Sequence, residues 1–201
     1  MSVEDLNQPN RAQRRKQRTR QRLLEAAEHC LNRSGYTRLT IRQITETADL
    51  GYGTFYLHFD NLDDVVWAIM DQKAQIINDE LIAQLAELPP RRRAYLSWVQ
   101  IFRVVAVTPV LFLEMFGKGG SAQLIRAYQD WLARTHEANL NAGNYQPHDL
   151  SLPTDFQAQY MAGATLRVLC WWAENNFVHS PEDMANMLYE MTYHESPPGN
   201  L

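Results

Sequence analysis

The chain has 201 residues, room for one large domain or a small one joined to a medium one, and its 45% hydrophobic content allows a real core. No run of about eighteen apolar residues is present, which excludes a simple membrane span, and the polar, acidic start followed by arginines is unlike a secretory signal. The net charge of −4 divides into +6 up to Arg42 and −10 beyond it, so a basic head sits on an acidic body and only the head suits a polyanion.

In chain order the pattern is helical almost throughout. Residues 10–22 form a polar, arginine-rich arm that becomes a helix. Leu23, Ala27, Cys30 and Leu31 then repeat at helical spacing up to a C-cap at Gly35. Thr40 and Gln43 form a capping box for a short second helix carrying Ile41, Ile44 and Ala48. After Asp49 and Leu50 a third helix opens at Gly51 or Tyr52 and runs to about Phe59. Asn61 caps a fourth, with Asp63 and Asp64 in its first turn and apolar positions as far as Pro89-Pro90.

Further helices are expected over residues 91–107, 110–116, 124–142, 154–178 and 181–193, the last started by Ser180 as cap and Pro181 in the first turn. Residues 143–153 read as a polar loop. Cys30 and Cys170 fall in apolar-periodic segments with no CxxC spacing or Cys/His cluster, as packed, reduced thiols of a cytoplasmic protein do. No strand pattern or internal repeat is evident, and the fold class is all-α.

The second and third helices, separated by a turn of about three residues, make a helix-turn-helix. Leu50 can bury between them. Gly51 supplies either an unusual backbone angle or an N-cap. The third helix places Tyr52, Gly53, Thr54, Tyr56 and His58 beside the core-type Phe55 and Phe59. A helix entering the major groove needs small residues where backbone nears DNA, donors for phosphates and a few side chains for base edges, and this segment has all three.

The run from Thr40 to Ile44, followed by Ala48-Asp49-Leu50-Gly51-Tyr52-Gly53-Thr54-Phe55-Tyr56-Leu57-His58-Phe59, resembles the tetracycline-repressor-like (TetR) family of transcriptional regulators, and the likeness spans residues 18–68. It implies a DNA-binding domain of three helices over residues 1–60, joined to a helical effector-binding and dimerisation domain over 61–201. By the same resemblance Arg42 and Tyr52 fall at positions that touch bases. Thr40, Thr54, Tyr56 and His58 fall where phosphates are held or the reading helix is supported, with Gly51 and Gly53 in the same surface. Arg14, Arg15, Lys16 and Arg18 would form a basic arm toward the DNA backbone or minor groove. Three positions depart from the family pattern: Asp49 where Gly is common, Gly51 where Ser or Thr is, and Leu62 where a lysine is. The last removes one phosphate contact, although the helix N-terminus keeps its backbone amides.

Segments 166–177 and 180–182 also resemble the end of such regulators, whose last two helices pair with a second subunit in a four-helix bundle. Ala158, Ala162 and Gly163 permit close helix approach, and Met184, Met187, Leu188 and Met191 give the last helix an apolar face. The middle helices, where the family keeps its effector cavity, carry Trp98, Phe102, Phe112, Met115 and Phe116, then Tyr128, Trp131 and Tyr160. These line a pocket or simply fill the core. Arg167, Trp171 and Glu174 offer polar and aromatic chemistry to a ligand or to the partner subunit, or pair at the rim.

The resemblance therefore implies a homodimer that binds a palindromic operator in double-stranded DNA and is released by a small-molecule effector, leaning to a hydrophobic or planar one. A repressor is the primary reading. An activator of the same fold, or an all-α small-molecule-binding protein without DNA function, are the alternatives. Residues 116–121 lack the strand and spacing of a phosphate loop and read as an interhelical turn. Arg91, Arg92 and Arg93 open a helix against the dipole preference. The histidines show no metal-ligand spacing, and no nucleophile or acid–base motif is present, so neither metal, cofactor nor enzymatic activity is expected.

Overall fold

The computed structural model describes residues 10–143 and 152–198; the 143–153 loop, apart from its ends, lies outside them. Nine helices follow one another among the described residues: α1 (Arg11–Ser34), α2 (Ile41–Thr47), α3 (Tyr52–Phe55), α4 (Leu62–Leu85), α5 (Pro90–Val107), α6 (Pro109–Phe116), α7 (Ala122–Asn141), α8 (Thr154–Glu174) and α9 (Pro181–Tyr193). By its internal contacts the chain forms two compact units, residues 1–73 and 74–201, so the division falls inside α4.

In the first unit the arginine-rich arm is not separate from the helix that follows. α1 begins at once because Asn10 accepts from the Gln13 amide at 2.9 Å while Gln13 accepts from the Asn10 amide at 2.7 Å, and no Gly or Pro interrupts the run to Ser34. Leu23, Ala27 and Leu31 of α1 are buried, as are Ile44, Phe55, Phe59, Val65 and Val66, and together they make up the core of this unit. The start of α4 is fastened to it: Asn61 accepts from the Asp64 amide, the Tyr36 hydroxyl donates to Asp63 at 2.5 Å, and Lys73 pairs with Glu28.

In the second unit α7 packs along α8 and α5 along α9, with α6 bridging to α7 and α8. Pro90 and Pro109 occupy the first turns of α5 and α6, where a missing N–H costs nothing. After α6 the chain turns through Gly117 and Gly120, and a Cβ at Gly117 would lie 2.6 Å from the Leu113 carbonyl oxygen, so no larger residue fits there. Ser121 then caps α7 by accepting from the Gln123 and Leu124 amides.

α8 stops at Glu174, short of the expected 178. Asn176 and Phe177 both take left-handed angles (φ 58 and 54). The Phe177 amide folds back onto the Trp172 carbonyl at 3.1 Å, and the Trp172 indole donates to the His179 carbonyl at 2.9 Å. Arg91, placed against the dipole of α5, is held by Glu195 and lies over the Tyr193 ring at 5.3 Å, which accounts for a cation at that end.

Candidate functional site

The head presents its second and third helices around a tight turn. Thr40 accepts from the Gln43 amide at 3.2 Å, the Gln43 side chain accepts from the Thr40 amide at 3.0 Å, and α2 starts there. In the turn it is Asp49, not Gly51, that takes the unusual backbone angle, with φ 51. Asp tolerates that region better than most residues. Gly51 is instead the N-cap of α3, in extended conformation. Leu50 is half-buried, and its amide closes the turn onto the Thr45 carbonyl at 2.9 Å. Arg22 of α1 clamps the turn from outside by donating to the carbonyls of Ala48 at 2.6 Å and Asp49 at 3.3 Å. Nothing in its sequence context marks Arg22 for that task.

α3 is shorter than expected, a single turn of four residues. Beyond Phe55 the chain tightens: the Leu57 and His58 amides donate to the Thr54 and Phe55 carbonyls, since the backbone must swing at Asp60 into the cap of α4. Phe55 and Phe59 anchor this segment from beneath, and Tyr52, Gly53, Tyr56 and Leu57 stand exposed above it, with Thr54 half-buried. The hydroxyls of Tyr52 and Tyr56 lie 3.2 Å apart with their rings edge to face. One phenolic proton serves that bond and the other remains to donate outward. Leu57 places a large apolar side chain on the surface in a stretch whose core positions are already taken by Phe55 and Phe59.

Two cations of α1 reach this segment: Lys16 and Arg20 act on His58, and Arg20 lies over the Phe59 ring at 4.9 Å. Arg14, Arg15, Lys16 and Arg18 are exposed on the opening turns of α1, which has no acidic residue in its first turn to offset them. Their charge adds to the positive end of the helix dipole, an arrangement that an incoming polyanion relieves. Arg42 is fully exposed and its Nε lies 2.8 Å from Glu46. His58 is half-buried, and its Nδ1 has no hydrogen-bond partner. Burial, then the charges of Lys16 and Arg20, hold its pKa below the usual histidine value, which favours the neutral imidazole.

In the body the ten aromatic and polar candidates fall into separate groups. Trp98 packs against Tyr189 and Tyr193, and Phe102 meets Trp172 edge-on at 5.4 Å. A second series runs Phe112, Phe116, Tyr128, Trp131 by successive ring contacts of 5.0, 5.0 and 5.7 Å; Met115 is buried in the same unit. The Cys170 thiol donates to the Phe116 carbonyl, and burial pushes the enclosed Tyr128 hydroxyl up to about 12. His136, which sequence reading did not single out, is buried on α7 with its pKa lowered to about 4 by desolvation.

Tyr160, Arg167 and Trp171 stand apart from both groups, on the outward side of α8, where Arg167 pairs with Glu174 at 3.5 Å. Ala158 and Ala162 are buried within the chain, Met184 is buried, and Met187 and Met191 are exposed. Both cysteines are free and buried. Among the described residues no group of three or more His, Cys, Asp or Glu could hold a metal ion, and no single helix is long and apolar enough to cross a membrane.

Residues 23–69 match the bacterial regulatory proteins of the tetR family. The likeness to that family in sequence lies in the head. TtgR, an HTH-type transcriptional regulator of Pseudomonas putida, is 38% identical over 55 residues, which are 27% of this chain and 26% of TtgR. The chain thus matches about a quarter of the length of this curated tetR-family relative. The fold likeness extends over the body. Thermus thermophilus FadR, a TetR-family transcriptional repressor solved with lauroyl-CoA, superposes with a TM-score of 0.68 at 18% identity, covering 90% of this chain and 100% of that one. RolR, solved with resorcinol, gives 0.66 at 19% identity, covering 89% of each chain. The architecture is the TetR one: an N-terminal helix-turn-helix head and a C-terminal helical body.

Proposed function

We propose that the chain is a homodimeric, ligand-responsive transcriptional repressor that binds a palindromic operator, one α3 per half-site, and is released by a small effector. The observation that carries this reading is the exposed surface of Tyr52, Gly53, Tyr56 and Leu57, flanked by the cations of α1, in a head of the tetR family. Its role is binding, not catalysis. Dimerisation is supported by the outward apolar residues of the last two helices and their connection, where Phe156, Tyr160, Trp171, Val178, Met187 and Met191 are exposed. Such a face is costly on a lone subunit. Because Tyr160, Arg167 and Trp171 lie there, they are assigned to the subunit interface and not to the pocket.

For the effector, the series Phe112, Phe116, Tyr128 and Trp131 with the neutral His136 suits an apolar or aromatic molecule with few polar groups. That two fold neighbours are solved with lauroyl-CoA and resorcinol supports a ligand site in the body. Release requires the effector to favour one spacing of the two heads by a coupling free energy of about 1–3 kcal/mol.

The test is selection of bound duplexes from a random-sequence library with the full-length chain, then titration of the best one at several salt concentrations. Tyr52→Ala should relax sequence preference, while Tyr56→Ala should weaken every duplex alike. Preference unchanged in Tyr52→Ala would refute its role at the bases.

A further inference from the structure

Leu57 is 70% exposed, more than Tyr52 or Tyr56 beside it, and the head does not need it for packing, since Phe55 and Phe59 beneath it are already buried. Four residues before it is Gly53, where a Cβ would meet nothing within 4 Å and the backbone angle is one that any residue adopts. The fold therefore demands glycine at 53 for neither space nor conformation. What its missing side chain does is leave the surface of α3 open beside Tyr52, four residues before Leu57.

The side chains that read guanine or adenine by paired hydrogen bonds are Arg, Lys, Asn and Gln. Residues 52–59 include none of them, and on α2 Arg42 lies against Glu46 while Gln43 is engaged by Thr40 in the helix cap. The apolar feature of the major groove is the C5-methyl group of thymine, and aliphatic or aromatic side chains are its complement. Lys16 and Arg20 act on His58 at the end of the same segment, so phosphate-binding charge borders it.

We infer that α3 and the turn after it select operator half-sites by thymine methyl groups packed against Leu57, with Gly53 providing clearance for the groove edge and the rings of Tyr52 and Tyr56 flanking the contact. This rests on the DNA-binding reading above and adds to it the chemistry that is read.

The experiment starts from the duplex enriched by the full-length chain and replaces its thymines one at a time by deoxyuridine, which removes the methyl and keeps every hydrogen-bonding group. One or two positions in each half-site should weaken binding about fourfold, the transfer free energy of one methyl group. Leu57→Ala should bind thymine and deoxyuridine copies alike. Its thermal melting should be that of the unaltered chain, because the side chain is on the surface. Equal affinity of the unaltered chain for thymine and deoxyuridine copies would overturn the inference, as would discrimination that survives in Leu57→Ala. Failure to enrich any duplex would instead overturn the DNA-binding reading, and the inference with it; the two failures are distinct because the deoxyuridine series begins from a bound duplex.

Discussion

At the scale of single residues, glycine and histidine carry the sharpest consequences. Gly53 sits inside a helical turn, where glycine costs about 0.5–1 kcal/mol relative to alanine, and its Cβ position is open. Gly53→Ala should therefore leave thermal stability unchanged or raise it, while affinity for the enriched duplex falls tenfold or more; melting curves and DNA titrations on the same preparation check both. His136 has its folded-state pKa lowered from 6.5 to about 4, so the unfolded chain binds the extra proton between those values. Stability should be intact above about pH 7 and fall as the pH drops through that window, by up to about 1.4 kcal/mol per unit. Denaturant unfolding at several pH values should show a shallower slope in His136→Gln. Neither feature is legible in the sequence alone. The periodicity of α7 puts His136 on a face without saying that the face is closed, and a glycine's open Cβ site is a fact of packing.

Among the elements, starts were easier to read than ends. Thr40, Ser121 and Ser180 cap α2, α7 and α9 through side-chain oxygens, and of these Thr40 and Ser180 are recognisable from residue type and spacing. The end of α8 carries no such sign, because two non-glycine residues, Asn176 and Phe177, adopt the left-handed angles that glycine usually supplies. The arm was legible as basic but not as the first turns of α1, since the Asn10–Gln13 capping box lies before the apolar period begins. A helical arm holds its cations at fixed spacing. Replacing Arg14, Arg15, Lys16 and Arg18 by alanine should weaken all duplexes evenly and lower the slope of log affinity against log salt by about one for each phosphate that the arm no longer neutralises. Titrations at several salt concentrations read this directly.

For the molecule as a whole, the basic head and acidic body were visible in the charge division, and the helix-turn-helix in its motif. The assignment of aromatic residues within the body was not. A helix rich in aromatics presents some inward and some outward, and spacing alone cannot separate Trp172, which is buried, from its neighbour Trp171, which is 40% exposed. The outward set on α8 and α9 is what supports two-fold assembly, and two-fold assembly is what a palindromic operator requires. The most direct measurement is sedimentation equilibrium of the full-length chain with its enriched duplex, joined to footprinting of that duplex. Two chains should bind each duplex, protecting two half-sites about one helical turn, or a multiple of it, apart. A single chain on the duplex, or protection without two-fold symmetry, would contradict a homodimeric operator-binding regulator.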